Sequence, residues 1–198
     1  MKDHYISPNI LTQSGNLFNF EYPYNNKICI EDIAHALSHI CRFTGHTSQF
    51  YSVAQHSVIV SRTTGLLTPS EQMAGLLHDA AEAFIGDVSL PLKQLLPDYK
   101  VIEGRVERAI FTFFGIRYPL SEAVKFADLI LLATERRDLM PERNGEWALL
   151  GGVTPLRTRI VPWSPERAES EFMARYEELT KLQDFGLVAK HHEEETHL

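Results

Sequence analysis

Imidazole and carboxylate side chains recur along this chain in a pattern suited to holding a metal ion: His56, the dipeptide His78-Asp79, and Asp128. A His-Asp dipeptide alone carries little weight. With nine His among 198 residues, chance supplies roughly 0.4 such pairs, so the dipeptide matters only through its surroundings. Those surroundings place the four residues on three separate predicted helices. Ligands projected from packed helices are a common way to build a metal site in a bundle core. The mixed nitrogen and oxygen set suits a borderline divalent ion such as Zn, Mn, Co, Fe or Ni better than an all-oxygen calcium site. Asp128 is the most informative member. It interrupts the apolar run from Phe126 to Leu132, where an unpaired carboxylate would be costly to bury.

Further groups suited to proton and phosphate chemistry surround this set. Glu82 follows His78 by four residues and Asp79 by three, which puts all three on one helix face. A carboxylate beside a metal site is positioned for general acid or base work. Asp87 follows Gly86 on a loop able to fold over the same site. Lys93 lies just past the turn at Pro91, and Lys125 precedes Asp128 by three residues, on the metal-facing side of its helix. Arg42 and Phe43 precede a turn at Gly45. Taken singly, each Lys reads as a solvated charge, Phe43 as core and Asp87 as a turn former. His35, His39 and His46 form a histidine-rich run without an assigned role, of which His46 is within reach of the site. Cys29, Cys41, Trp147 and Trp163 read as packing, and Arg136 and Arg137 as salt-bridging residues.

The elements that must position these groups are helical. Ile33, Leu37, Ile40 and Cys41 recur at helix spacing. Ser52 and Gln55 fit a capping box opening a helix that runs to Gly65. Thr68-Pro69-Ser70-Glu71 is a stronger start signal, for a helix carrying Met73, Leu76, Leu77, Ala80, Ala81 and Phe84 until Gly86. Further helices are predicted from Asp98 to Phe114, from Ser121 to Leu139, and from Ser164 to just before Gly186. Residues 141–163, with Gly145, Gly151, Gly152, Pro155 and Pro162, read as irregular. The expected architecture is all-α: a helical bundle over residues 31–186, an N-terminal arm or hairpin over 1–30, and a flexible tail over 187–198. In the arm, Leu17 to Tyr24 reads as a strand that turns at Asn25-Asn26 and returns through Lys27 to Ile30.

The sequence His78-Asp79-Ala80-Ala81-Glu82, then Gly86-Asp87, then Pro91-x-Lys93 resembles the H-D-x-x-E…G-D…P-x-K signature of HD-domain nucleotide phosphohydrolases. Arg42-Phe43 and His56-Ser57 resemble the upstream segment of the branch that holds bacterial 5′-deoxynucleotidases and phage dATP triphosphohydrolases. Residues 31 to 138 carry the resemblance. It implies an HD-domain bundle with a divalent ion (Co, Mn, Zn or Mg) on His56, His78, Asp79 and Asp128, and with Glu82 and Asp87 as catalytic carboxylates. It further implies that Arg42, Lys93 and Lys125 contact phosphate and that Phe43 and Pro91 contact the base. Phe43 departs from the Trp of some relatives in that branch but keeps a stacking surface. The implied reaction is hydrolysis of dATP to deoxyadenosine and tripolyphosphate, with a 5′-deoxynucleotidase or a non-catalytic nucleotide sensor as alternatives.

Bulk properties are those of an ordinary globular protein and leave an anionic small-molecule substrate open. A length of 198 residues with 44% hydrophobic and 23% charged residues suits a single globular core. A net charge of -7 argues against nucleic acid as a partner, since that requires a basic footprint. Local cations can still hold an anionic nucleotide. The two cysteines form no disulfide framework. The N-terminus lacks an apolar signal core, and apolar runs such as Leu129 to Ala133 fall far short of the ~20 residues of a membrane span. A cytoplasmic homo-oligomer acting on a nucleotide, away from membranes, is the expectation.

Overall fold

The computed structural model describes residues 7–63, 68–142 and 147–195, with side chains described through residue 183. It is predominantly helical, with one small two-stranded hairpin near the N-terminus. Helix α1 (Ile30–His39) opens with Glu31 and Asp32, acidic groups that complement the helix N-terminus, and buries Ile30, Ile33, Ala34 and Leu37. Helix α2 (Val53–Thr63) is the central element, packed against α1 and against α3 (Pro69–Leu77), α7 (Glu122–Leu139) and α8 (Pro165–Glu195). Within α2, Ile59, Arg62 and Thr63 escape burial. A helix enclosed on nearly all sides usually carries apolar residues throughout. This one also buries Gln55, His56, Ser57 and Ser61, and such polar groups need partners inside the protein.

Those partners brace the bundle. Ser52 Oγ accepts the Gln55 N–H at 3.1 Å, which is half of the expected capping box. The Gln55 side chain does not complete it. Its amide donates to the Val161 carbonyl at 2.9 Å and accepts from the Trp163 N–H at 2.8 Å, tying the irregular 155–163 segment to α2. On α8, Arg175 is buried and donates to Ser61 Oγ at 3.0 Å and to Gln72 at 2.7 Å, joining α2, α3 and α8. The reciprocal capping box of Thr68 and Glu71 starts α3 as expected. Leu76, Leu77, Leu131 and Phe172 are fully enclosed, each such side chain contributing roughly 1.5–3 kcal/mol of apolar burial.

Several boundaries differ from the sequence reading. The hairpin pairs β1 (Asn9–Leu11) with β2 (Leu17–Asn19), Ile10 lying opposite Phe18. Its turn therefore precedes Leu17 and contains Gly15, whose φ of +82° suits glycine. Asn25-Asn26 instead ends a 3-10 turn, where the Asn26 amide holds both backbone groups of Asn19, at 2.7 and 3.0 Å. Ser14 at the hairpin tip donates its N–H and hydroxyl to Asp32, at 2.8 and 2.7 Å. Phe18 stacks on Phe84, ring centroids 4.0 Å apart. The helix expected from Pro69 to Gly86 is broken into α3 and a short α4 (Glu82–Ile85). Next come α5 (Leu90–Lys93) and α6 (Pro97–Phe113). Finally, α8 runs through Gly186 to Glu195, past the helix end expected before Gly186. One glycine costs a helix interior about 1 kcal/mol, too little to stop it unaided. The expected helix end at Gly65, and Gly145 and residues 196–198, lie outside the described residues. Among the described residues, no helix is long and apolar enough to cross a membrane.

Candidate metal centre

Three parts of the bundle converge on one point. His56 comes from the middle of α2, Asp128 from the first half of α7, and His78-Asp79 from the turn between α3 and α4. In that turn the N–H groups of Ala80, Glu82 and Ala83 bond to carbonyls three residues back, those of Leu77, Asp79 and Ala80. This tighter winding brings residues three apart into register, so Asp79 and Glu82 stand on one side. Their shared face thus arises from a 3-10-like turn and not from a continuous α-helix. Gly86, at φ +79°, ends α4 and sends the chain away at Asp87.

The donor atoms are close enough to share one ion. His56 Nε2 lies 3.2 Å from His78 Nε2, 3.5 Å from Asp79 Oδ2 and 3.2 Å from Asp128 Oδ1. His78 Nε2 lies 3.2 Å from Asp79 Oδ2 and 3.9 Å from Asp128 Oδ1. The other nitrogen of each ring is engaged outward. His78 Nδ1 donates to the Gly75 carbonyl at 2.8 Å, and His56 Nδ1 donates to Glu135 Oε1 at 2.6 Å. Such outward hydrogen bonds orient both rings and turn their Nε2 atoms toward the centre. His56, His78 and Asp79 form a cluster able to hold a metal ion, and Asp128 adds an oxygen against His56.

Charge is concentrated here. Burial and Arg42 disfavour a proton on His56, but Glu135 and Asp128 outweigh them and raise its pKa to about 9. Burial likewise opposes the protonated form of His78, and Asp79 overcomes it, raising the pKa. Against burial, the charge and hydrogen bond of His78 hold Asp79 well below the usual carboxylate range. Asp128 is lowered too, chiefly by its hydrogen bond to His56 working against burial. Glu135, fully enclosed on α7, is kept ionised against burial by Arg42 and His56. Glu82 behaves in the opposite way. Burial first, then the charges of Asp79 and Asp87, push its carboxyl well above the usual range, and its Oε2 is buried without a hydrogen-bond partner. Asp87 is raised as well, mainly by burial. An unsatisfied carboxyl with a raised pKa beside a ligand set is the kind of perturbed group that marks reactive sites.

The cations occupy different positions. Arg42 is almost enclosed, its guanidinium 3.4 Å from Asp79 Oδ2 and 3.2 Å from Glu135 Oε2. Lys93 lies 3.7 Å from Glu82 Oε1 and is held by Glu103 on α6. Lys125 stays half-exposed, its ammonium 2.8 Å from Glu122 on its own helix, so the structure pairs it outward and not with the cluster. Pro91 and His46 are exposed. Phe43 and Thr44 both adopt φ of +54° within the turn Arg42–Gly45, a conformation that costs non-glycine residues about 1–3 kcal/mol each and tends to cluster at functional sites. The turn is clamped by the bonds Arg42 N–H to Tyr51 at 2.9 Å and Val53 N–H to Ile40 at 3.0 Å. The Phe43 ring lies 5.4 Å from the Arg42 guanidinium and 6.0 Å from Trp147, which Arg136 covers at 5.6 Å.

Two participants escape the sequence reading. Glu135 was detectable as the residue seven after Asp128, two helical turns along the same face. Trp147 carries no local signal, because an irregular segment brings it to Phe43.

The chain matches no established family profile. It is 43% identical over 175 residues to the uncharacterised protein YfdR of Escherichia coli (strain K12), covering 87% of this chain and 96% of the relative. It is 30% identical over 185 residues to the uncharacterised protein RCAP_rcc00048 of Rhodobacter capsulatus, covering 85% of this chain and 93% of the relative. At that identity and coverage, the chain belongs to the family of YfdR.

Proposed function

We propose that this chain is a metal-dependent phosphohydrolase of the HD-domain type, acting on a small deoxynucleotide. The observation that carries the reading is the approach of His56 Nε2 to His78 Nε2 at 3.2 Å while each Nδ1 donates elsewhere. In the metal-free protein the proton on His56 fills this gap. A divalent cation between the two Nε2 atoms, with Asp79 and Asp128 beside it, would take that proton's place. Candidates are Co, Mn, Zn and Mg, and the imidazoles favour the first three. When bound, such an ion polarises a phosphoryl oxygen and lowers the pKa of a nearby water.

The chain's own residues divide the remaining work. Glu82 holds its proton because of burial and its acidic neighbours, which suits it to protonate a leaving oxygen. Asp87 supplies a second carboxyl whose charge Glu82 feels. Lys93 and Arg42 balance these acids and offer donors to a phosphate. Phe43 and Trp147 offer aromatic surface to a base, and stacking of this kind tolerates every base. A nucleotide sensor without chemistry would not need proton-transfer carboxylates such as Glu82 and Asp87.

A deoxynucleoside monophosphate is the substrate this arrangement favours. With Lys125 paired to Glu122, Arg42 and Lys93 remain as the cations at the cluster, and both already meet carboxylates. Cleavage of dATP to deoxyadenosine and tripolyphosphate is the competing reaction and asks for more positive charge. The test is incubation of metal-stripped protein with deoxynucleoside mono-, di- and triphosphates plus each candidate ion, with products resolved by chromatography. Inorganic phosphate released from a monophosphate in a metal-dependent way is expected, and tripolyphosphate appearing faster from dATP would reverse the choice. No turnover of any of these by the metal-loaded protein would overturn the reading.

A further inference from the structure

A second histidine pair lies away from the cleft, where α1 meets α8. His35 and His39 stand one turn apart on α1, ring centroids 4.3 Å from each other. Glu169, on the first part of α8, brings Oε2 to 3.2 Å from His35 Nδ1. One donor atom from each of these three residues lies within 4.8 Å of the other two. Metal–nitrogen and metal–oxygen bonds of roughly 2.0–2.1 Å at tetrahedral angles set donors about 3.3 Å apart. The His35–Glu169 separation already matches that spacing.

The tautomer of His39 is settled locally. Its Nδ1 lies 2.8 Å from the His35 carbonyl. A carbonyl only accepts, so Nδ1 carries the proton and Nε2 keeps the lone pair a metal requires. Glu166, three residues before Glu169, is fully exposed. Its carboxyl is lowered, first by the Ser164 hydroxyl.

We propose that His35, His39 and Glu169 form a second, peripheral site for a divalent ion of the zinc, nickel and copper class. Two imidazoles and one carboxylate select such an ion over calcium or magnesium. The site fastens α1 to α8 and leaves its remaining coordination positions to water. It shares no ligand with the central cluster and does not depend on the hydrolase reading.

Zinc alone is the probe. Full-length protein stripped with a chelator is titrated with Zn²⁺ by calorimetry, and bound metal is counted after gel filtration. His35→Gln/His39→Gln is expected to lose one equivalent relative to the wild type while keeping the central one. Asp79→Ala/Asp128→Ala is expected to keep the equivalent that depends on His35 and His39. Adding His39→Gln to that background should remove it. The single His39→Gln variant, at an exposed side chain, gives the same readout if the double variant misfolds. Zinc bound in the same number and with the same affinity with and without His35 and His39 would overturn the proposal, whatever happens at the central cluster.

Discussion

His56 and His78 meet between packed helices, with 0% and 7% of their side chains exposed, whereas His35 and His39 meet on the surface of α1. The chemical groups are similar, two imidazoles and at least one carboxylate, but their surroundings are not. Around the buried pair, each Nδ1 is held by Glu135 or by Gly75, and Arg42 ties Glu135 and Asp79 together. Around the surface pair, support comes from a backbone carbonyl, Ser38 and one partly exposed glutamate. Outer contacts fix ligand orientation and tune the ion, and they are denser around the buried pair, as the proposed chemistry there requires. Glu82, raised by burial and unsatisfied, stands beside the buried pair.

The strongest way to break this contrast is to remove ligands. Asp79→Ala and Asp128→Ala are each expected to abolish metal-dependent turnover and to lower metal content, with helical circular dichroism retained. Unchanged metal stoichiometry in both would remove the central cluster from the account. Glu82→Gln should keep metal and substrate while kcat falls by ~10² to 10⁴, the usual worth of a positioned acid or base. A near-normal kcat would shift the proton to Asp87 or to no side chain. Glu135→Gln touches no substrate, yet it should weaken metal binding by about 10- to 100-fold, as competition with a chelating dye would read. Loss of the wild-type affinity difference between the two sites in that variant would sharpen the contrast further.

Proton release tests the same point more gently. With its pKa raised to about 9, His56 is protonated in the metal-free protein at pH 7.5, and the ion must displace that proton. Calorimetry in buffers of different ionisation enthalpy should therefore show about one or more protons released per central ion at pH 7.5. Affinity should keep rising toward pH 9, while an imidazole at its ordinary value would already be neutral. The smallest effect is expected at Lys125, where Lys125→Ala should change stability by less than about 1 kcal/mol, as exposed ion pairs do, and leave KM nearly unchanged. A large rise in KM would return Lys125 to the site and favour a longer phosphate chain.

Legibility followed chemistry more closely than geometry. His56, His78, Asp79 and Asp128 could be singled out because polar ligand types interrupt apolar helical patterns, and the Thr68–Glu71 box was readable from its spacing. The break between α3 and α4 was not, because Leu76, Leu77, Ala80 and Ala81 fit one continuous α-helical stripe equally well. The hairpin register is not legible, because Asn25-Asn26 is a turn signal in its own right and the actual turn at Gly15 lies among polar residues with little strand character. The amide of Gln55 fits a cap by spacing, but tertiary structure redirects it to Val161 and Trp163. Lys125 shows the limit of helical spacing. Lying three residues from Asp128 allows a shared face, but Glu122, equally near on the other side, takes the ammonium.

The central claim is that His56 and His78 turn their Nε2 atoms onto one ion. Anomalous scattering from crystals of the full-length protein grown with zinc tests it directly. A peak bonded to both Nε2 atoms at roughly 2.0–2.1 Å, with oxygens from Asp79 and Asp128 completing its protein ligands, is the result expected. A zinc-loaded crystal with no peak between these rings, or with His56 and Glu135 parted and Nδ1 bound instead, would contradict it.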